Sequence, residues 1–356
     1  MHSSDYARKV WAIPAVATVA AGLGVRELVA RRREADLDGQ VALITGGSRG
    51  LGLAIARELA GEGCRLALCA RNAEELEIAA RELCDRGADV LPLMCDVRNE
   101  QDVNAMVARV EEHYGRIDVL VTVAGVIDVA RVDDLTADEF RRAMDVMVWG
   151  ALYPVMAALP GMRSRGSGRI AVVTSIGGKI SVPHLLSYSA AKFAAVGLAE
   201  GLSAELAKDG ISVTTIIPGL MRTGSHNSAT FTGSSAQQRA DYTWFSLAAT
   251  APMAPRADRA ARIVVRSIKR GETERIFPFP FALASRFQGL MPGTTVRLMR
   301  LVNAVLPSHP AAPDEISTSR GEDIERQFDS RAHRLATTLG REAEAAFNQH
   351  GSRGRA

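Results

Sequence analysis

A short apolar strand pattern that runs directly into a glycine-rich turn constrains the fold of this chain more than any other feature. Residues 41–44 read V-A-L-I, residues 45–52 read T-G-G-S-R-G-L-G, and a helical pattern follows. Amides at the start of such a helix bind anions, so the context predicts a phosphate cradle, with a purely structural glycine turn as the alternative. Gly46 would permit the tight turn, Gly50 the approach of a pyrophosphate, and Gly52 close packing of helix on strand. The side chains between these glycines are further candidates at the cradle, namely Ser48, Arg49 and Leu51.

Strand and helix patterns alternate through the first two thirds of the chain. Further strands are predicted at 65–70, 89–94, 117–123, 211–217 and 275–277, and helices at 73–86, 101–114 and 259–270. Repeats of this length predict a parallel sheet that helices cover on both faces. We therefore predict an α/β fold, with one doubly wound, Rossmann-type domain over residues 37–280 and extensions at 1–36 and 281–356.

The end of the second predicted strand bears on the choice of nucleotide. A carboxylate about 20 residues beyond the glycines would bind the ribose 2′-hydroxyl of NAD. Residues 69–72 read C-A-R-N, without a carboxylate, and Arg49 and Arg71 can instead converge on a 2′-phosphate. The alternative is that both arginines are ordinary surface residues. The sequence therefore favours NADP(H) as the cofactor.

Further candidates for cofactor contacts follow the third and fourth strands. The third strand closes with Asp96 and Val97, and the fourth is followed by Ala124 and Gly125. Ligands of doubly wound sheets bind beyond the carboxyl ends of the strands, where these residues are expected. Asp96 would either accept a hydrogen bond from the adenine amine or cap the next helix.

A serine, a tyrosine and a lysine supply the candidate chemistry. Ser175 precedes Tyr188 by 13 residues, and Tyr188 and Lys192 lie at i and i+4 of a predicted helix, on one face. An ammonium beside a phenol favours the phenolate, so we expect a lowered pKa for Tyr188 and a role as general acid or base. Ser175, at the end of the preceding strand, can hold a carbonyl or alcohol oxygen against that phenol. Taken alone, the motif also fits a surface tyrosine beside a solvated lysine.

Together and in this order, the motifs resemble the classical short-chain dehydrogenase/reductase family over roughly residues 39–277. The resemblance implies that Tyr188 is the catalytic acid or base, that Ser175 orients the substrate oxygen, and that Lys192 binds the nicotinamide ribose and tunes Tyr188. It also implies contacts to the nicotinamide end from three residues that follow the predicted strand at 211–217, namely Pro218, Gly219 and Thr223. A homodimer or homotetramer is the expected assembly.

Two positions depart from the pattern of that family. Residues 122–125 read T-V-A-G where the family usually has N-N-A-G, and Met147 stands where it usually has an asparagine. The asparagine supports a water-linked proton path through the lysine, whereas a thioether is only a weak acceptor. We therefore expect a proton relay that is rerouted, slower or lost, with cofactor binding less affected.

Charge and cysteine content argue against several other classes of protein. The chain has 43 basic and 40 acidic residues, a formal net charge of +3, and no basic patch interleaved with aromatic residues, so no nucleic-acid partner is predicted. The four cysteines form no C-x-x-C pair, which predicts reduced, structural thiols and no metal site.

Two apolar segments flank the predicted domain. Residues 10–25 carry no charge but fall short of the roughly 20 apolar residues of a spanning helix. A membrane anchor or interfacial helix and an apolar helix docked on the protein stay open as alternatives. The second segment is residues 278–306, a possible membrane contact. Within it residues 296–306 are apolar with Arg297 and Arg300, which fits a basic amphipathic helix at a membrane surface, a dimer contact, or a helix over the substrate cleft. We expect a cytoplasmic protein, with attachment to the cytoplasmic face of a membrane left open.

These observations predict an NADP(H)-dependent oxidoreductase that interconverts an alcohol and a carbonyl on a lipophilic substrate, with Tyr188 as proton donor or acceptor. Residues 221–255, rich in small and hydroxyl side chains, would cover the substrate as a mobile lid or form an ordinary surface loop. From residue 309 a loosely ordered, polar helical tail is predicted. The alternative function, suggested by Met147 and Val123, is a catalytically impaired NADP-binding regulator or scaffold.

Overall fold

A seven-stranded parallel sheet organises the protein, as seen in a computed structural model that describes residues 34–251, 254–310, 312–327 and 346–347. The strands, in chain order, are β1 (Val41–Thr45), β2 (Arg65–Ala70), β3 (Val90–Met94), β4 (Val119–Thr122), β5 (Asp128–Ala130), β6 (Gly168–Val173), β7 (Ile211–Pro218), β8 (Thr230–Gly233), β9 (Glu274–Phe277) and β10 (Ser317–Arg320). The central sheet has the order β3-β2-β1-β4-β6-β7-β9, with every neighbouring pair parallel. The predicted doubly wound α/β fold is confirmed.

Helices cover both faces of this sheet. They are α1 (Gly50–Gly61), α2 (Ala73–Cys84), α3 (Glu100–Tyr114), α4 (Ala137–Met144), α5 (Gly150–Arg165), α6 (Leu186–Leu206), α7 (Ser225–Ser228), α8 (Ser235–Thr250), α9 (Ala257–Arg270), α10 (Phe279–Leu290), α11 (Pro292–Val305) and α12 (Gly321–Arg326). Local sequence sets several of the boundaries. The side chains of Asn72 and Asn99 cap α2 and α3, and Thr136 with Glu139 forms a capping box at α4.

Strand β1, in the interior of the sheet, shows how an apolar core forms on each face of the sheet. Its side chains point alternately to opposite faces, so Ala42 and Ile44 join one apolar cluster while Val41 and Leu43 join the other. The first cluster lies under α1, α2 and α9, and the second under α3, α5 and α6. Burial on both faces accounts for the continuous apolar reading of the strand.

A second, three-stranded sheet of order β10-β8-β5 stands beside the main one. It changes the interpretation of residues 221–255, because the ordinary surface loop, one of the two predicted alternatives, is wrong for this segment. It contains β8 and α8, whose Phe231 and Tyr242 are fully buried. Part of the predicted polar tail is also regular structure, since β10 pairs antiparallel with β8.

Of the two apolar flanking segments, the structure describes only the second. Residues 10–25, the predicted anchor or docked helix, lie outside the described residues. The predicted amphipathic helix at 296–306 is α11, and α10 precedes it in a segment for which the sequence indicated no helix. Within the described ranges one helical run, Ala137–Arg165, is long and apolar enough to cross a membrane, but half of its most apolar window is buried, as in the core helix of a soluble protein.

The cysteines form no disulfide in the described structure. All four are free, and Cys84 alone among them is exposed. Burial raises the pKa of the Cys64 thiol to about 12, so this thiol stays protonated and unreactive.

Candidate active site

The glycine-rich turn after β1 is built by close backbone approaches. Gly46 has φ +72°, and a methyl group added to it would stand 2.9 Å from the amide nitrogen of Ala124. The turn therefore packs directly on the residues that follow β4. A methyl group on Gly52 would collide with the carbonyl oxygen of Gly46, so helix and turn meet backbone to backbone.

The start of α1 has the features of a phosphate-binding helix terminus. Unlike α2 and α3, it has no side-chain cap, and its first turn contains no acidic residue. Gly50 opens the helix and Leu51 and Gly52 follow, all three buried. Glycines without side chains and uncapped amides fit the pyrophosphate of a dinucleotide.

The Gly50 amide has a partner that the sequence did not indicate. It donates to the carbonyl oxygen of Phe347, 2.8 Å away. The Phe347 side chain is buried, with the Arg57 guanidinium 5.1 Å from the centre of its ring. The guanidinium also donates to the carbonyl oxygen of Ala346. The single available signal was an apolar A-A-F triplet in an otherwise polar tail.

The predicted ribose end of the site contains a carboxylate that the sequence analysis missed. Glu75 is buried, lies 3.5 Å from the Arg49 guanidinium and accepts from the Ser48 hydroxyl at 3.4 Å. Arg71 is exposed at the end of β2. An ion pair with Glu75 directs Arg49 to α2, so Arg49 is not a free surface residue. The clue in the sequence was an acidic residue three positions after the capping Asn72.

Asp96 follows β3, and one of its two predicted roles is wrong. The cap of α3 is Asn99, whereas the Asp96 carboxylate forms a forked pair with Arg98 at 2.6 to 3.0 Å. Hydrogen bonding from Arg98 lowers the pKa of Asp96, and the charge of Arg71 acts in the same direction. Val97 is buried and packs against Gly150 at the start of α5.

Ser175 and Tyr188 meet across Gly177, just beyond the end of β6. The Ser175 hydroxyl accepts from the Gly177 amide at 3.1 Å and caps the short turn Ile176–Gly178. A methyl group on Gly177 would stand 3.0 Å from Cε1 of Tyr188 and 3.5 Å from Oγ of Ser175. Only glycine leaves room for the two side chains to converge there.

The pKa of Tyr188 is shifted in the direction opposite to the expected one. Burial raises it, and the hydrogen bond with Ser175 opposes that effect without overcoming it. Lys192 does share the predicted helix face, but its Nζ lies 5.9 Å from the centre of the Tyr188 ring. The phenol is therefore protonated across the neutral range, the form required of a proton donor.

Lys192 is held in the interior by a backbone carbonyl group at the end of β6. Its side chain is buried, and Nζ donates to the carbonyl oxygen of Val173 at 3.0 Å. Because the ammonium has lost its hydration, the pKa falls from 10.5 to about 8. Lys192 can thus carry or release a proton close to neutral pH.

Met147, the residue that departs from the family's pattern, lies within the site. It belongs to the π-helical turn Asp145–Trp149 between α4 and α5, and its side chain is buried. A methyl group added to Gly125 would stand 3.9 Å from its Sδ and 4.0 Å from Nζ of Lys192. The thioether and the ammonium thus both lie about 4 Å from the same point beside Gly125, and a polar side chain at position 147 would be better suited than a thioether to extend a proton path.

The residues predicted at the nicotinamide end lie at the carboxyl end of β7. The Gly219 amide donates to the carbonyl oxygen of Phe277 at 2.7 Å. A methyl group on Gly219 would collide with the ring of Phe281, so α10 is seated directly on this turn. Pro218 ends β7 and Thr223 is buried nearby in sequence.

His184 is a second feature of the site that the sequence analysis missed. It has φ 61°, which is unusual for a residue with a side chain, and it lies four positions before Tyr188. Its Nδ1 is 2.8 Å from the fully buried carboxylate of Asp241 on α8, which also accepts from Gln237 and Trp244. With Nδ1 as the donor to this carboxylate, α8 holds the loop that leads into α6, the helix that carries Tyr188. The signal was an imidazole directly after Pro183.

Comparison with known proteins decides the family. A family model described as short chain dehydrogenase matches residues 40–232, more than half of the chain. The chain belongs to the short-chain dehydrogenase family. A putative ketoacyl reductase of Streptomyces coelicolor is 39% identical over 188 residues, which are 52% of this chain and 72% of that protein.

Solved structures of related enzymes show the same fold. Actinorhodin polyketide ketoreductase with NADPH superposes with a TM-score of 0.60 at 30% identity, over 68% of this chain and 96% of that one. An NAD+-bound xylitol dehydrogenase gives a TM-score of 0.57 at 28% identity, over 65% and 93%. This short-chain dehydrogenase is therefore an oxidoreductase of alcohol and carbonyl groups that uses a nicotinamide cofactor.

Proposed function

We propose that this short-chain dehydrogenase interconverts an alcohol and a carbonyl on a lipophilic substrate with NADP(H), and that Tyr188 is its proton donor and acceptor. The observation that carries the proposal is the convergence of Ser175 and Tyr188 on Gly177, with buried Lys192 one helical turn away. These groups share the carboxyl edge of the sheet with the uncapped start of α1, where a dinucleotide fits.

Each side chain has a distinct part in the reducing direction. A nicotinamide cofactor, when bound, would supply the hydride that reduces the carbonyl carbon. The Ser175 hydroxyl, whose oxygen already accepts from the Gly177 amide, donates to the carbonyl oxygen and orients it. The Tyr188 phenol, kept protonated by burial, transfers its proton to that oxygen as charge develops there. Lys192, with its lowered pKa, then returns a proton towards the phenolate.

The preference for NADP(H) rests on the residues after β1 and β2. No carboxylate ends β2, and Arg71 is exposed there. Arg49 lies in the glycine-rich turn after β1 and is already paired with Glu75. A guanidinium suits a phosphate in charge and in geometry, and it offers nothing comparable to a ribose hydroxyl. The proposed contacts at the phosphate and base end also include Ser48, Asp96 and Val97.

The lipophilic substrate is inferred from the apolar cluster beside the triad. The Tyr188 ring packs against a cluster that joins β5, β8, α8 and the loop before α6. Its partly buried members besides Tyr188 are aliphatic or aromatic, namely Ile127, Val182 and Trp244. A substrate whose carbonyl reaches Tyr188 would lay its remaining atoms along this cluster.

The proposed working form is a homodimer or homotetramer in the cytoplasm, at the cytoplasmic face of a membrane. Three large apolar side chains are exposed in this region: Trp149 at the turn before α5, Met156 on α5 and Phe193 on α6. Exposed apolar side chains on neighbouring helices suit a contact between identical subunits.

The test is NADPH-dependent turnover of lipophilic ketones and aldehydes by the full chain in detergent, with NADH in parallel. We expect turnover that favours NADPH and falls by at least about a hundredfold in Tyr188→Phe, since general acid catalysis contributes that much or more. NADPH affinity should stay unchanged in this variant. Tyr153→Phe, a half-buried tyrosine of α5 outside the site, is the matched control. Turnover that survives in Tyr188→Phe contradicts the proposal.

A cofactor-binding protein without turnover is the second candidate function, and one observation favours it. Met147 fills the space beside Lys192 where a proton path needs a polar group. The same assay separates the two functions. NADPH binding with no turnover of any carbonyl in the panel, by wild type and Tyr188→Phe alike, would support the regulator or scaffold.

A further inference from the structure

The helical pair α10–α11, residues 279–305, exposes most of its large apolar side chains. The buried residues of the pair are Ser285 and Thr295, both with hydroxyl side chains. The apolar side chains point the other way, with Phe279 77% exposed, Leu290 82% and Val305 82%. Such an arrangement is the reverse of what water favours.

The exposed apolar residues of the protein are concentrated on this pair. Ten of the 17 exposed large apolar side chains in the described part of the chain belong to it: Phe279, Leu283, Phe287, Leu290, Met291, Val296, Leu298, Leu301, Val302 and Val305. The other seven are distributed from Met94 to Leu247. A contiguous exposed surface of this kind is a contact surface, not the ordinary scatter of single apolar residues.

Charge selects the partner of this surface. Between Glu274 and Asp314 the sequence has no carboxylate, whereas the pair carries Arg286, Arg297 and Arg300. Arg297 and Arg300 are exposed on α11, and neither forms an ion pair within the described residues. An apolar helix face edged by cations, with no anion, is complementary to a bilayer that contains anionic lipid.

We propose that α10–α11 docks on the surface of an anionic bilayer and lies in its interface. The position of the pair gives the contact a purpose, a step that rests on the proposed function. Phe281 of α10 is seated on Gly219 at the carboxyl edge of the sheet, beside the proposed nicotinamide end. A protein docked through this pair holds that edge next to the membrane, where a lipophilic carbonyl or alcohol is dissolved.

The first experiment measures partitioning of the full chain onto vesicles of phosphatidylcholine, alone or mixed with phosphatidylglycerol. We expect stronger binding to the mixture. Arg297→Gln with Arg300→Gln should lower it about thirtyfold on the mixture and little on phosphatidylcholine alone, since each basic residue near an anionic surface adds about a fivefold effect. Leu283→Asp with Leu301→Asp should lower partitioning on both. Met94→Asp, an equally exposed apolar residue at the end of β3, is the matched control and should bind as wild type.

Hydrogen exchange locates the contact independently of any other anchor in the chain. Amides of residues 279–305 should gain protection when anionic vesicles are added and lose it again in the leucine double variant. Vesicle binding that leaves this range unprotected would assign the contact to another segment, such as residues 10–25, and overturn the proposal. Protection that grows with protein concentration in the absence of vesicles would point to a second copy of the chain and overturn it equally. Tyr188→Phe should partition as wild type, so loss of the proposed activity and loss of docking are separable results.

Discussion

Replacing Lys192 by methionine should stabilise the cofactor-free protein while removing its activity. Lys192 is buried, and the partner of its ammonium that the structure describes is the carbonyl oxygen of Val173. No carboxylate balances the charge among the causes of its pKa shift, which is lowered by burial alone. The lysine is therefore a cost to folding that a methionine of similar length would relieve.

The size of the effect follows from the pKa. A fall from 10.5 in the unfolded chain to about 8 in the folded protein corresponds to about 3 kcal/mol of penalty on the charged form. In the variant the Val173 carbonyl loses its donor, which costs about 1 kcal/mol. We expect Lys192→Met to be more stable than wild type by about 2 kcal/mol at neutral pH.

The stability difference between Lys192→Met and wild type should change with pH. Between pH 8 and 10.5 the unfolded chain holds the Lys192 proton more tightly than the folded protein does, so wild-type stability rises with pH across that window. Below it the penalty is fully present, and above it the penalty is gone. The advantage of Lys192→Met should therefore be largest below about pH 8 and close to zero by about pH 10.

The assay is urea unfolding of both proteins, followed by tryptophan fluorescence, from neutral pH to about pH 10 without nucleotide. Lys179→Met is the control of opposite sign. Lys179 is paired with Glu200 at 2.6 Å and Glu274 at 3.1 Å, and these partners raise its pKa. Its contribution to stability is present below its unfolded pKa and lost above its folded one, so this variant should gain nothing at neutral pH. A Lys192→Met protein that is less stable than wild type at neutral pH, or an advantage that does not change with pH, refutes the reasoning.

Two further variants test the proton path to Lys192 and the contact between Phe347 and Gly50. Met147→Asn should raise turnover by about tenfold, because it places a hydrogen-bonding group beside Lys192, and should lower the free energy of unfolding by about 1 to 3 kcal/mol, because the amide is buried. Steady-state kinetics and urea titration check both effects, and unchanged turnover would mean that protons reach Lys192 by another route. Phe347→Ala should tighten NADPH binding about fivefold, since loosening this residue frees the Gly50 amide from a hydrogen bond worth about 1 kcal/mol. Titration of NADPH fluorescence measures it, and binding that weakens would show that Phe347 supports the nucleotide site.

The parts of the fold that depend on short sequence periods were predictable. β1, the turn after it and α1 could be placed because strand, glycine and helix signals follow one another within 20 or so residues. The positions of Tyr188 and Lys192 on one face of α6 follow from helix geometry alone. The direction of the Tyr188 pKa does not, because it depends on burial by chain segments distant in sequence.

Contacts between distant residues were the ones that the sequence could not indicate. Pairing of β10 with β8 joins residues near 317 and 233, although S-T-S-R has no strand periodicity of its own. The Arg49–Glu75 pair and the hydrogen bond from Gly50 to Phe347 likewise need the folded chain to bring their members together. The last two contacts change how the predicted site residues Arg49 and Gly50 are interpreted, and neither contact could be inferred from local sequence patterns.

The chain after β9 touches the site at three separate places. Phe281 is seated on Gly219 at the proposed nicotinamide end, β10 extends the sheet beside the apolar cluster at Tyr188, and Phe347 holds the amide of Gly50 at the proposed phosphate end. The family model stops at residue 232, before all three of these segments. The segments that enclose the proposed reacting groups therefore lie beyond the range that the family model matches. Substrate choice, nucleotide affinity and docking should accordingly depend in part on residues 233–356, and swapping this extension between relatives should change them.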